Sequence, residues 1–209
     1  MSSDSSVHQL IQRCRGGDPV ARALLFQRYN HYLHVLAQTQ LGRHLRAKVD
    51  ASDLVQQTLL EAHRDFGEFQ GGHEAELLGW LRRILAHNLY NEARRFAAQQ
   101  RDAAREVSLD QLRAGVERSS LALGQCLAAE GASPSQAAQQ REAAVRLADA
   151  LARLPQDYQE VLLLRVFEEL PAEEVAGRMG RSAGAVRMLQ MRALQALREQ
   201  MAQAEESDA

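Results

Sequence analysis

The stretch EELPAEEVAGRMGRSAGAVRMLQMRALQALR, residues 168–198, decides how this chain is read. Pro171 suits a first helical position, where no backbone N–H is needed, and Glu173 and Glu174 suit a first turn, where the helix dipole favours negative charge. Gly180 can then supply the left-handed residue that ends one helix, and Ser182 can cap the next. Two helices joined by so short a turn have the syntax of a helix-turn-helix. Stepping about 100° per residue, the second helix places Val186, Leu189, Ala193 and Leu197 on one face. Arg187, Met188, Met191, Arg192 and Gln195 fall opposite. The first set packs and the second can meet DNA, because a helix in the major groove brings its N-terminal side chains to base edges while arginines engage guanine or phosphate. Gly184 and Ala185 at that end let the backbone approach closely.

Charge sharpens the reading. From Arg178 to Arg198 there are five arginines and no acid, whereas between Arg153 and Gly177 six acids (Asp157, Glu160, Glu168, Glu169, Glu173, Glu174) stand against Arg153 and Arg165. One basic helix is thus set on an acidic scaffold. The whole chain is slightly acidic, at −2, so it lacks the overall positive charge of a free-standing nucleic-acid binder.

Working outward, the 209 residues are 45% hydrophobic and 25% charged, which suits one large globular domain or two small ones and excludes a disordered tail protein. Long Ala/Leu/Gln/Arg/Glu stretches with few Val-Ile-Thr runs predict an all-α fold. No run approaches 18 apolar residues, and the start MSSDSSVHQL lacks the basic and apolar segments of a secretory signal. A cytoplasmic protein without membrane insertion is expected. Cys14 and Cys126 are far apart with no CxxC spacing, and His31 and His34, three residues apart, are joined by no further ligand, so neither a disulfide framework nor a metal site is expected. Paired carboxylates, a nucleophile–base set and a phosphate loop are missing from the text as well, so the chain reads as no enzyme, with no cofactor.

Residues 7–98 carry apolar residues at helical spacing: Leu24, Leu25, Tyr29, Tyr32, Leu33 and Leu36, then Leu54, Val55, Leu59, Ala62 and Phe66. Asp18-Pro19 reads as a cap and first-turn pair, and Ser52-Asp53 as the opening of another helix. After a break at Phe69-Gln70-Gly71-Gly72, a helix over 74–96 buries Leu77, Leu81, Ile84, Leu85 and Leu89 and turns Arg83, His87, Tyr90 and Arg94 outward. A basic face with an aromatic ring can hold a nucleic-acid strand. Trp80, near Phe66 and Phe69, reads as core. Residues 99–135, rich in Ala, Gln and Ser with weak periodicity, read as an interdomain linker with partial helix, and 136–205 as a second, smaller helical domain.

These blocks resemble bacterial sigma factors of the extracytoplasmic-function (ECF) type, the small group within the sigma-seventy family. The resemblance rests on Asp18-Pro19, on DASDLVQQTLLEAHRDFGEF at 50–69, on GWLRRILAHNLYNEARRF at 79–96, and on the block from Ala150 to Arg198. It implies two helical domains and a subunit that binds core RNA polymerase, recognises promoters and opens the duplex. By resemblance, Asp53, Gln56, Gln57 and Leu60 dock on the clamp coiled coil of the largest polymerase subunit. The loop from Gln70 to Glu76 and the helix after it, with Arg83, His87, Tyr90, Asn91 and Arg94, take the non-template strand of the minus-ten element and capture a flipped base. Ser182, Gly184, Ala185, Arg187, Met188, Met191 and Arg192 read the minus-thirty-five duplex. The flap of the second-largest subunit and an anti-sigma factor are further partners of the kind the family implies. His87 stands where many relatives carry Asn, with Asn88 beside it facing the buried stripe. Asn91 and Leu189 replace an Asp and a basic residue common in the family, whereas Arg187 and Arg192 match basic positions. On the residues alone two rivals stay open: a stand-alone helix-turn-helix regulator, and a helical adaptor or anti-sigma-like interaction protein.

Overall fold

A computed structural model describes residues 3–41, 49–100, 108–125 and 134–207, and among these there is no strand. The described residues form ten α-helices in order: α1 Ser3–Arg15, α2 Pro19–Arg28, α3 Asn30–Gln40, α4 Ala51–Arg64, α5 Glu74–Gln100, α6 Leu109–Gln125, α7 Pro134–Ala152, α8 Gln156–Leu162, α9 Ala172–Met179 and α10 Ala183–Ser207. The all-α expectation holds. Cys126, weighed in the sequence, lies outside the described residues.

Local chemistry sets most helix ends. Asp18 caps α2 by accepting from the backbone N–H of Val20 at 2.9 Å and of Ala21 at 3.1 Å, with Pro19 next to it, as the dipeptide predicts. These amides and the Arg13 guanidinium hold the Asp18 carboxyl below its ordinary range. At the opening of α4 Asp50 is the cap, accepting from Ser52 N–H at 2.8 Å, and Ser52-Asp53 lie in the first turn as expected. Phe66 lies beyond α4, in a short 3-10 turn over Phe66–Glu68. After α8 a π turn over Leu163–Phe167 holds Leu164 and Val166.

The first six helices are organised around α3, whose Tyr32, Leu33, Val35, Leu36 and Ala37 are buried. Helices α4, α5, α6 and α7 all pack on it. Phe26, Phe66, Phe69 and Trp80 form an aromatic cluster at one end, with Phe66 edge-on to Phe26 at 5.9 Å and Phe69 5.2 Å from Trp80. Trp80 packs on the core through this cluster and remains half-buried. Leu24, which follows the apolar pattern of its helix, is half exposed instead.

The stretch expected to be linker contains α6, and α6 is not an idle spacer. It packs on α3, α5 and α7. Tyr32 and Thr39 of α3 pair their hydroxyls with Ser120 and Ser119 at 2.8 and 2.9 Å, and Arg82 of α5 donates to Glu117 at 2.8 Å. Farther along, His31 of α3 meets Asp149 of α7 at 2.8 Å. The C-terminal helices join in series: α8 and α9 pack on α10, and α7 touches both α3 and α10.

A buried polar tie fixes the start of α5. The Tyr29 hydroxyl donates to Glu74 Oε1 at 2.8 Å, and Arg28 Nε stands 3.7 Å from the same oxygen. Burial and the Glu74 carboxylate push the Tyr29 phenol above its ordinary pKa, so it remains a donor. Tyr29→Phe should therefore cost about 1.5–3 kcal/mol, the worth of a hydrogen bond to a buried charged group. Chemical denaturation checks this, and a loss below about 0.5 kcal/mol would show the tie to be dispensable.

Candidate nucleic-acid interface

Helix α5 separates its faces cleanly. Leu77, Leu81, Leu85 and Leu89 are buried and Ile84 half-buried, while Arg83, His87, Asn91 and Arg94 are exposed. The spacing of these four by three or four residues makes them one outward stripe. Tyr90 differs from the other expected strand contacts: it is half-buried, and the Arg94 guanidinium lies over its ring at 5.6 Å. The ring edge and the guanidinium together still offer a flat surface beside His87.

Packing sets the adjacent residues His87 and Asn88 apart. Asn88 is buried, and its side-chain amide donates to Thr58 Oγ1 and Glu61 Oε2 of α4, each at 3.2 Å. Thr58, also buried, passes its own hydroxyl proton to the Leu54 carbonyl at 2.7 Å. The amide is consumed in joining α4 to α5. His87 is the member of the pair that faces water.

The loop before α5 is held in detail. Glu76 Oε2 accepts from the backbone N–H of Gly72 at 2.7 Å and of His73 at 3.3 Å, which keeps its carboxyl below the ordinary range. At Gly71 an added Cβ would lie 2.6 Å from both the Glu76 side chain and the Phe69 ring, so only glycine fits there. Gln70 and His73 are exposed.

On the outer face of α4, Asp53, Gln56, Gln57 and Leu60 are all exposed, Leu60 at 61%. Asp53, Gln56 and Leu60 line an open groove whose other wall is Ala23, Phe26, Asn30 and His34. Gln57 lies outside the groove and donates to Glu61 at 2.6 Å. An exposed leucine among exposed polar groups is the mixed surface that protein partners use. Burial, and then the neighbouring His31, lower the pKa of His34 below its ordinary value against an opposing pull from Asp50.

In the C-terminal unit the turn is built as the sequence predicts. Gly180 ends α9 in the left-handed region, at φ 63°, and Ser182 Oγ accepts from Ala185 N–H at 3.2 Å. Pro171 sits one place earlier than expected, at the cap of α9. Val186 and Ala193 of α10 are fully buried, with Leu189 and Leu197 packed beside them. Ser182, Gly184, Ala185, Arg187, Met188, Met191 and Arg192 are all exposed. The acidic and basic segments meet here: Arg187 pairs with Glu173 at 2.7 Å, Arg178 with Glu174 at 2.7 Å, and Arg181 with Asp157. Arg192 has no ion-pair partner among the described residues. Sequence reasoning missed Arg165, which donates to Gln190 of α10 at 3.0 Å and to the Leu170 carbonyl, and so fixes how α10 leans on the scaffold. It carries no local signal, since its partner is 25 residues away.

Residues 25–99 match the family model for Sigma-70 region 2, and residues 144–197 that for Sigma-70, region 4. Over most of its length the chain also aligns with ECF sigma factors. It is 27% identical to RNA polymerase sigma-H factor of Pseudomonas aeruginosa, covering 94% of each chain. The chain belongs to the ECF sigma factors of the sigma-70 family. It is 26% identical to the ECF RNA polymerase sigma factor BldN of Streptomyces coelicolor, covering 94% of this chain and 66% of that one. With the ECF RNA polymerase sigma-E factor of Salmonella typhimurium the identity is 27%, over 94% of this chain and 95% of the other. As a sigma factor it directs RNA polymerase to promoters, in preference to the regulator and adaptor readings. No helix among the described residues is long and apolar enough to cross a membrane. Helices α1 and α6 of this sigma factor lie outside both matched spans.

The groove yields a pH prediction. His34 has a folded pKa below its unfolded one, so the unfolded state takes up the proton first and stability falls as pH drops below about 6.5 toward the folded value. His34→Gln should flatten this acid-side loss. Denaturation midpoints at pH 7.5 and 5.5 measure it, and equal losses for wild type and variant would reject it.

Proposed function

We propose a division of labour between the two matched regions of this sigma factor. Residues 7–98 bind core polymerase and take the melted minus-ten strand, 99–135 connect, and 136–205 read the minus-thirty-five duplex. The observation that carries this reading is that α5 and α10 each turn an apolar face into the core and leave a stripe containing arginines in water.

In this reading the α4 groove, with Asp53, Gln56 and Leu60 and with Gln57 alongside, docks on the clamp coiled coil of the largest polymerase subunit. The C-terminal unit rests on the flap of the second-largest subunit, which places α5 and α10 at a set separation on one DNA axis. The duplex opens upstream of α5. A flipped base enters between the Gln70–His73 loop and α5, and Arg83, His87, Tyr90, Asn91 and Arg94 hold the strand behind it through phosphate and stacking contacts. Unstacking that base costs a few kcal/mol, which the pocket and the backbone contacts offset. Asn88 takes no part, because its amide is already spent on α4. The protein supplies specificity and does no bond chemistry itself; it works in the cytoplasm, where polymerase and DNA are. Any anti-sigma partner would have to cover one of these exposed faces.

On α10, Arg187 lies about one turn inside the Ser182 cap, where side chains come closest to base edges. Its pair with Glu173 is exposed on both sides, and such pairs are worth little, so DNA can take the guanidinium over. Arg192 lies more than a turn later, where phosphate is the nearer partner. Met188 and Met191 add apolar surface suited to thymine methyls.

Two experiments follow. Asp53→Ala combined with Gln56→Ala should weaken core-polymerase binding by more than about 1 kcal/mol and leave the melting temperature unchanged, and unaltered affinity would remove α4 from the interface. Arg187→Ala should cost ~1–3 kcal/mol and relax preference at one or two upstream positions. Arg192→Ala should weaken all sequences alike and lower the salt slope by about one. Promoter-library transcription with holoenzyme binding across a salt series measures both, and identical preferences for wild type and Arg187→Ala would defeat base reading.

A further inference from the structure

The loop Gln70–His73 contains two consecutive glycines and by composition should sample many backbone shapes. A pocket that accepts one base needs its walls held to a fraction of an ångström. Glu76 ties the loop from the α5 side through the Gly72 and His73 amides. The ties on its other side come from α1, more than fifty residues earlier in the chain.

Arg15 donates from its guanidinium to the Gly71 carbonyl at 2.8 Å, and His8 donates from Nδ1 to the Gly72 carbonyl at 2.8 Å. The His8 ring also stacks on that of His73, with centroids 5.9 Å apart and planes 27° from parallel. His8 and Arg15 are two turns apart and share an exposed face of α1, while Val7, Ile11 and Cys14 on the adjoining face are buried. The link from α1 onward is itself fixed, because Arg13 grips Asp18, the cap of α2, at 2.7 Å. Thus α1 is anchored by apolar packing and presents two donors to two successive glycine carbonyls.

We propose that α1 is the splint of the promoter-reading loop, with His8 and Arg15 as positioning residues that set which base the loop accepts. The inference rests on the reading of Gln70–His73 as the minus-ten loop. Neither residue touches DNA in this arrangement; each holds the loop backbone from behind. Both are exposed, so their removal leaves the apolar core of α1 intact, and their effect falls on selectivity before it falls on stability.

The test is promoter-library transcription by holoenzyme carrying the full-length chain, with the minus-ten element randomised. His8→Ala and Arg15→Ala should each flatten preference at one minus-ten position by roughly threefold to tenfold, the size of a modest coupling between a supporting residue and a site. The same position should respond to Gln70→Ala and His73→Ala, while minus-thirty-five preference, core affinity and melting temperature stay at wild-type values. Arg15→Lys and His8→Asn, which keep a donor within reach of the carbonyl, should restore most of the preference, and they carry the comparison if either alanine variant is less stable. Unchanged preference in the α1 variants while the loop variants alter it would overturn the splint and leave the loop reading standing. Unchanged preference in all of them would overturn the loop reading and the splint with it.

Discussion

Enclosure of α3 is the constraint on which the rest of the molecule depends. A helix of eleven residues with five buried apolar or aromatic side chains needs neighbours on most of its circumference, and α4, α5, α6 and α7 supply them. Its polar atoms impose a second demand, since a hydroxyl or amide taken out of water must find a partner. Tyr32, Thr39 and Gln40 all find theirs on Ser119 and Ser120 of α6, which gives a segment of weak sequence pattern a defined seat. Through that seat and through His31 with Asp149, the helix links the N-terminal helices to α7, which leads into the helix-turn-helix unit.

Charge is arranged with the same economy. The acidic stretch before α10 is not a solvated face with no task, because Glu173, Glu174 and Asp157 pair with arginines of the basic stretch. The pairing lets a stretch with five arginines, three of them on α10, fold against an acidic scaffold, and it lowers the net positive charge that stretch presents. Among these pairs Arg178 is the enclosed one, at 18% side-chain exposure, and serves structure; Arg187 and Glu173 are both largely in water and can separate at small cost. Muted charge of this kind lowers non-specific attraction for nucleic acid.

The buried polar groups mark where geometry has to be exact enough for function. Tyr29 with Glu74, and Asn88 with Thr58 and Glu61, both join α5 to helices before it. Apolar side chains alone would let α5 slide or rotate with modest loss, whereas directional bonds select one register. That register decides which residues of α5 face water.

What the sequence determined by itself is everything settled within about one helical turn. The all-α class, the Asp18-Pro19 cap, the Gly180 turn with its Ser182 cap, and the split of α10 into a Val186–Ala193 face and an Arg187–Arg192 face were all legible, because caps and helical periodicity are written in adjacent residues. The exposed quartet on α4 and the outward arginines of α5 followed from the same periodicity. Only tertiary structure decided matters in which the partner lies far along the chain. Asn88 is withdrawn and His87 left in water because Thr58 and Glu61, about thirty residues earlier, stand opposite one and not the other. Leu24 is half exposed although it follows the apolar pattern, because no element among the described residues covers that side chain. The roles of Arg165, of α6, and of His8 and Arg15 had no local signal, since hydrogen bonds between distant segments depend on where whole helices come to rest.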